Sequence, residues 1–555
     1  MEGQRLIVVG GVAGGASCAA RARRLCEKCE ILLFDRGPYV SFANCGLPYY
    51  VGNVIVEERK LLVATPHLFK ERFNIEVRTK SEVTAIDREK KVVYVKDGRT
   101  GETYTQAYDS LVLSTGAQAV RPPLPGIDLP QIFELRTIPD SRKIREAIGY
   151  ASSALVVGGG FIGLEMAENL ARRGLSVNVV ELSSQVLPPL DPEMATFAAE
   201  HLKSHGIRLV LNNGVARFDL EGNNRILATL NSGEQIQSDI VVLAIGVRPE
   251  TTLARQADLR LGRHGGIQVD DSMRTSDQNI WAVGDVIEVR DIVTGEWELM
   301  PLAGPANRQG RIAAESIIRC HQGREARPQT FRGVQGTAVC GIFDLTVAMT
   351  GASEKKLKRA GFKNVEKVYL HPGHHVAYYP GAKSIHMKLL FDASSGRVLG
   401  AQAIGEAGVE RRIDVISMAI QNNATVFELE EAELCYAPQF GAAKDPVNVA
   451  GMIAANCVRG DLELADWNDV DRADVQVVDV RTPAEYDKGH MPQAVNIPID
   501  EMRDRLDELP ADKEIWLVCE VGQRAYYATR LLLQSGFQVK NLSGGMRTYS
   551  TIHNR

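Results

Sequence analysis

No apolar run of 18 or more residues occurs in the 555-residue chain, so no transmembrane helix is expected. There is no basic tail, and 64 Lys and Arg against 69 Asp and Glu leave a net charge of −5, which disfavours nucleic-acid binding as the main task. Cysteines are few: nine, an odd number without regular spacing. That argues against a disulfide framework and for reactive thiols in a reducing, cytoplasmic setting. Compositional bias is missing too. With 45% hydrophobic and 24% charged residues the chain reads as globular, and its length suggests three to four domains. An export signal is not expected either. The glycine pairs at 10–11 and 14–15 break the apolar stretch after Arg5, and Arg21, Arg23 and Arg24 follow at once.

What the chain does carry is one local pattern, twice. Leu6-Ile-Val-Val-Gly10 predicts a strand running into the turn Gly10, Gly11, Val12, Ala13, Gly14, Gly15. A helix to Leu25 follows, then a strand from Ile31 to Phe34 that ends in Asp35. Ala154-Leu-Val-Val-Gly158 repeats this with Gly158, Gly160 and Gly163, a helix to Arg173, and Val177 to Val180 ending in Glu181. In such a βαβ unit the glycines let the backbone approach a pyrophosphate at a helix N-terminus, and the carboxylate takes the ribose hydroxyls. A glycine triplet alone is a weak signal. The strand, the helix and the acidic residue 20 to 25 positions on strengthen both copies, although Val12 stands where the first copy should have its second glycine. Two sites imply two dinucleotides.

Gln278-Asn-Ile-Trp-Ala-Val-Gly284-Asp285, Leu113-Ser-Thr115-Gly116 and Ala244-Ile-Gly246 complete the pattern. With them, the first 325 residues resemble the two-dinucleotide flavoprotein disulfide reductases. The resemblance implies FAD and NADH, with Asp285, Gly284 and Thr115 on the flavin. Further cofactor contacts are implied at both glycine turns and at Asp35, Arg36, Gly116, Glu165, Glu181, Gly246 and Asn307. NADPH is less favoured, because Leu182, Ser183 and Ser184 follow Glu181 with no Arg to meet a 2′-phosphate. The implied fold is α/β: two Rossmann-like domains, an α+β dimerisation domain and a further α/β domain. The boundaries read as 1–115 and 271–325 for FAD, 116–270 for NAD, 326–450 for dimerisation, 451–465 for a linker and 466–555 for the last domain.

Ser41-Phe-Ala-Asn-Cys45-Gly-Leu-Pro48-Tyr49-Tyr50 follows the first ribose carboxylate closely. Most disulfide reductases have a CxxxxC pair here; this chain has Tyr50 at the second position. The segment resembles the single-cysteine coenzyme A disulfide reductases, in which one thiolate facing the flavin takes sulfur from substrate. A cysteine opening a helix beside an electron-poor ring is expected to have a lowered pKa. His375-Val-Ala-Tyr378-Tyr379 and Leu434-Cys-Tyr436 through Lys444-Asp-Pro resemble segments that reach the active site of the partner subunit in a homodimer. Tyr436 and one of Tyr378 and Tyr379 would lie near the reacting sulfur, and Lys444 would meet the phosphates of coenzyme A, bound as substrate or cofactor. Paired aromatics also serve packing alone. Ser17, Arg24, Ser41 and Asn44 match the family's substrate contacts, whereas Arg21 stands where Gln is common.

After residue 466, Val478-Asp479-Val-Arg481-Thr-Pro-Ala-Glu485 and the loop Cys519-Glu-Val-Gly-Gln-Arg524, followed by a helix, resemble a rhodanese domain. Backbone N–H groups of that loop would cradle the Cys519 sulfur, with Arg524 beside it. Four residues between Cys519 and Arg524 disfavour phosphatase chemistry, which needs five in relatives of this fold. Glu520 would leave Arg524 as the loop's one cation and so favour carrier-bound sulfane sulfur over thiosulfate. No metal is expected: Cys26 and Cys29 lack a second ligand pair, and His371, His374 and His375 read as a hydrogen-bonding loop.

Together these features resemble the NADH-dependent persulfide reductases with a rhodanese domain: FAD-dependent reduction of persulfide, polysulfide or coenzyme A disulfide at Cys45, with Cys519 relaying sulfane sulfur. The alternatives are an NADH oxidase or peroxidase cycling through a cysteine sulfenic acid, and a non-catalytic flavin-bound regulatory protein. No membrane or nucleic-acid partner is expected.

Overall fold

β-Branched runs set the first strands, and the glycines after them end those strands at a common edge. The computed structural model describes residues 4–322, 329–470 and 474–553. The chain divides into two compact units, residues up to 182 with 212–334, and residues 183–211 with those from 335 onward. Among the described residues no helix is long and apolar enough to cross a membrane.

In the first unit Arg5–Val9 lies between Glu30–Asp35 and Ser110–Leu113, with Glu76–Thr79 and Ile280–Ala282 at the edges, all parallel. The inner strands are apolar and buried on both faces, as a helix-covered parallel sheet requires. Because Ile280–Ala282 joins this sheet, Gly10, Ser114 and Gly284 follow the carboxyl ends of its strands, where open α/β sheets bind ligands. The helices Ala13–Leu25 and Ala303–Gln322 cross closely: a Cβ at Gly310 would stand 2.2 Å from the Gly14 carbonyl oxygen. Ser176–Val180, Ser153–Val157, Ile240–Leu243 and Ile132–Glu134 form a second parallel set. The antiparallel pair Ala117–Ala119 and Val247–Pro249 carries the chain out to it and back.

In the second unit an antiparallel sheet runs Ala338–Ile342, Leu345–Gly351, Val398–Gly405, Ile385–Asp392, Val365–Leu370, with helix Val409–Gln421 packed on it. The loop after Tyr436 ends at Asp445, which caps helix Pro446–Val458 and pairs with Arg411 and Arg412. The first part of the stretch 451–465 continues helix Pro446–Val458, and Leu464 pairs with Asn541. The last sheet, Val495–Asn496, Val475–Asp479, Glu514–Val518, Val539–Asn541, is parallel throughout.

This last domain is fastened to the antiparallel sheet. Ser543 Oγ accepts from the Tyr369 backbone N–H at 2.8 Å, and His371 bridges His386 (2.8 Å) and Thr548 (2.9 Å). Burial, the first cause in each case, lowers His371 to about 3 and His386 to about 4. Both therefore stay neutral where a free imidazole, near about 6.5, takes a proton. The unfolded chain then binds more protons, so stability falls as pH drops from about 6.5 toward 4. Two such groups give a slope of up to about 2.7 kcal/mol per pH unit. Thermal melts from about pH 7.5 down to about pH 5 should show the loss, and His386→Gln should roughly halve it. Melting unchanged across that window would contradict this account.

Candidate active site

The two glycine turns share one geometry. Gly10 has φ +95° and a Cβ there would stand 2.1 Å from Ser114 O; at Gly15 it would stand 1.9 Å from Gly10 O. Gly158 has φ +110°, and a Cβ at Gly163 would stand 2.0 Å from Gly158 O. The Gly11 N–H donates to Asp35 (3.0 Å), and the Gly159 N–H to Glu181 (2.6 Å). Only glycine permits these approaches of turn, strand and helix. At Gly160 a Cβ would meet nothing within 4 Å, which explains why the matching position tolerates Val12. Neither helix that follows has a side-chain cap, unlike those capped by Thr137, Thr425, Asp445 and Thr482. Uncapped N–H groups above a glycine turn and beside a carboxylate fit a dinucleotide pyrophosphate at each turn.

Most of the other expected cofactor residues lie on the side of the first turn, whereas Gly246 follows Ala244 and Ile245, which pack against Gly158 of the second. Arg36 pairs with Glu250 (3.5 Å), and Thr115 Oγ1 donates to the Glu250 carbonyl (2.7 Å). Gly116 and Gly246, both at positive φ, mark the crossing out and back. The Gly284 N–H donates to Gln309 (2.8 Å), and Asp285, raised by burial, lies 3.9 Å from Arg136. Ser17 hydrogen-bonds Asn307, linking the two crossing helices. Arg24 is exposed on the last turn of its helix, while Arg21 is turned to Glu315 (3.7 Å).

Cys45 is exposed and sits in the single 3₁₀ turn Asn44–Gly46. Ser41 fixes that segment: its N–H donates to Gly11 O (2.7 Å), its carbonyl accepts from Val63 N–H (2.8 Å), and its φ is +48°. The chain's own groups do not lower the thiol pKa, so the expected lowering would have to come from the electron-poor ring itself. Partial desolvation raises the pKa first, then the charges of Glu165 and Asp285, with Arg136 opposing. The full helix begins only at Leu47, so the dipole of a long helix is not directed at the sulfur. Glu165 accepts from Tyr49 OH (3.3 Å) and is raised to about 7 by burial. Tyr50, at the second-cysteine position, is buried under Arg145 (4.2 Å), with its phenol 3.5 Å from Glu58. Sequence patterns gave no role to Arg136 or Tyr49. Arg136 lies in no motif, and only the fold brings it to Asp285.

In the second unit Tyr378 OH lies 2.8 Å from Tyr436 OH, both exposed. Tyr379 instead packs edge-on against His375 (5.5 Å), and Lys444 is exposed. His371, His374 and His375 each meet different partners, as a hydrogen-bonding loop should.

Cys519 follows strand Glu514–Val518, and its sulfur accepts from the Gly522 N–H (3.1 Å) at the start of helix Gln523–Gln534. Arg524 is the one cation within the loop itself, and neighbouring segments add two more. Arg481 and Arg547 approach Glu520 at 3.5 and 3.4 Å, while Arg524 forms two 2.7 Å bonds with Glu485. Three arginines and three carboxylates, counting Asp479 beside Arg481, leave the cradle balanced. Charge still offers a dianion little, now because each cation is already paired.

Cys26 and Cys29, for which the sequence disfavours only a metal site, form a local disulfide. Their CxxC spacing at a helix end is short enough for the sulfurs to meet. Buried Cys18 and half-buried Cys457 are each pushed to about 12, chiefly by desolvation, and offer no thiolate.

Residues 4–310 match the family profile described as pyridine nucleotide-disulphide oxidoreductase, residues 337–445 that of its dimerisation domain, and residues 464–551 that of a rhodanese-like domain. A coenzyme A disulfide reductase of Staphylococcus haemolyticus (strain JCSC1435) is 37% identical over 450 residues, covering 81% of this chain and 98% of its own. The structure of reduced Bacillus anthracis CoADR-RHD aligns at TM-score 0.96 and 46% identity over 100% of this chain and 98% of that one. That of a NAD-dependent persulfide reductase from A. fulgidus aligns at 0.90 and 37%, over 98% and 100%.

Proposed function

Because the chain belongs to the pyridine nucleotide-disulphide oxidoreductase family and carries a rhodanese-like domain, we propose that it oxidises NADH to reduce a persulfide, polysulfide or coenzyme A disulfide at Cys45. The family implies FAD and a nicotinamide cofactor. The observation that carries the reading is the exposed thiol of Cys45 under the charges of Glu165, Asp285 and Arg136, with Tyr50 in place of a second cysteine.

When bound, FAD supplies two electrons, taken from NADH, to sulfur carried on Cys45. Asp35 and the uncapped helix at Ala13 would hold it, as Glu181 and the helix at Phe161 would hold NADH. The Cys45 thiolate attacks the outer sulfur of a persulfide and expels the carrier thiolate. On a coenzyme A disulfide it forms a mixed disulfide and expels one coenzyme A thiolate. Two electrons then cleave the new S–S bond, returning the Cys45 thiolate with hydrosulfide or the second coenzyme A thiolate. Glu165, poised near neutrality, can hold a proton for the departing sulfur. Ser17, Arg24, Ser41 and Asn44 would receive coenzyme A on this subunit. Tyr378 and Tyr436 of the partner subunit would flank the sulfur in a homodimer, with Lys444 on the coenzyme A phosphates. Tyr378 suits this better than Tyr379, because it is already hydrogen-bonded to Tyr436. Cys519 would hold sulfane sulfur and pass it on.

Anaerobic steady-state assays with NADH and NADPH against coenzyme A disulfide, coenzyme A persulfide and polysulfide test the reading. NADH should give the higher kcat/KM with at least one acceptor, because Glu181 repels a 2′-phosphate. Absence of turnover with all three acceptors would refute it.

A further inference from the structure

We propose that His201, His205 and Asp344 form a binding site for a divalent transition-metal ion of the zinc class. His201 lies on helix Pro192–Ser204 and His205 caps its C-terminus, so their i, i+4 spacing puts both imidazoles on one face. Asp344 comes from the two-residue turn between strands Ala338–Ile342 and Leu345–Gly351. Its Oδ1 lies 2.8 Å from His201 Nε2 and 3.9 Å from His205 Nε2, and the three ligand atoms fall within 4.8 Å of one another. Ligands about 2.0–2.1 Å from a tetrahedral ion stand roughly 3.4 Å apart, between those two distances. Small side-chain rotations therefore complete the site.

Two further features are those of a ligand set rather than of a simple ion pair. His205 Nδ1 lies 2.9 Å from the His201 carbonyl, so an Nδ1–H donated there leaves the Nε2 lone pair facing Asp344. Metal-bound histidines are oriented in this way. The His205 ring is also stacked on Phe343 (4.1 Å, 10°), which sets its plane. The second feature is that the buried His201 Nε2 faces the Asp344 carboxylate oxygen at 2.8 Å, so the nitrogen and the oxygen already converge on one point. By contrast, the carboxylate cluster Asp191, Glu193 and Glu354 already surrounds the Lys388 ammonium at 2.6–2.9 Å and has no place for a cation.

Two imidazoles and one carboxylate suit zinc, nickel, cobalt or copper and are poor for calcium or magnesium, which take oxygen ligands. With three protein ligands the fourth position falls to water. The ion would staple the helix end to the hairpin turn, using no residue assigned above to sulfur chemistry.

The test is zinc binding to the full-length FAD-loaded protein, with metal per chain counted after equilibrium dialysis and thermal melts run with and without zinc. Thiols can also take zinc, so the readout is the difference from His205→Gln and, separately, Asp344→Asn. The unaltered protein should bind one more zinc per chain than either variant, and zinc should raise its Tm more than theirs. NADH-driven turnover should not differ among the three without zinc. Equal zinc content and equal thermal shifts in all three would overturn the proposal.

Discussion

Cys45→Ser is expected to abolish NADH-driven reduction of every sulfur acceptor, by at least about a thousandfold, while FAD stays bound. A serine hydroxyl is not ionised at neutral pH and cannot form the S–S bond on which reduction depends. The residues expected to hold FAD, the Gly10 turn, Asp35 and Asp285, are untouched by the change. Flavin absorbance should therefore persist, and a long-wavelength thiolate–flavin band should vanish. Cys519→Ser should behave differently. Its sulfur sits in a loop of its own, held by Gly522, so substrates that reach Cys45 directly should still turn over. Only acceptors that need relay through the rhodanese-like domain should slow. If the Cys519 variant lost all activity and the Cys45 variant kept it, this division of labour would be refuted.

The parts legible in the sequence are those built from neighbours along the chain. Gly11 with Asp35, and Gly159 with Glu181, each belong to one βαβ unit whose spacing fixes their meeting. The Cys519 loop reads equally well, because strand, loop and helix are consecutive. What was not legible depends on distant segments. The Cys45 thiol answers to Glu165, Asp285 and Arg136, three residues from three other parts of the chain, and their charges with desolvation raise its pKa, leaving any lowering to the flavin ring. The pairing of Glu485 with Arg524, and of Arg481 and Arg547 with Glu520, hides in the same way. No local pattern shows that Tyr369 meets Ser543 or that His371 meets Thr548.

Gly163→Ala should separate electron entry from sulfur chemistry. Its Cβ would lie 2.0 Å from the Gly158 carbonyl oxygen, a backbone atom that cannot rotate away, so the turn or the helix start must move. A displacement of about 1 Å at a positioning element can cost on the order of 10²-fold, and kcat/KM for NADH should fall by that much. FAD content should hold, since the Gly10–Gly15 turn is separate. Enzyme reduced chemically by dithionite should still cleave coenzyme A disulfide at the normal rate. Unchanged NADH kinetics would show that the second glycine turn is not the nicotinamide site.

The central claim is that electrons from NADH end on sulfur held by Cys45. The most direct measurement is stoichiometry without oxygen: NADH oxidised against sulfide released, with coenzyme A persulfide as acceptor and the FAD-loaded protein as catalyst. The account predicts one sulfide for each NADH, with no oxygen required and none of the reaction remaining in Cys45→Ser. NADH consumption that needs oxygen and yields no sulfide would contradict it and point to an oxidase or peroxidase. Bound flavin with no turnover at all would contradict it as well and leave a redox-responsive binding protein.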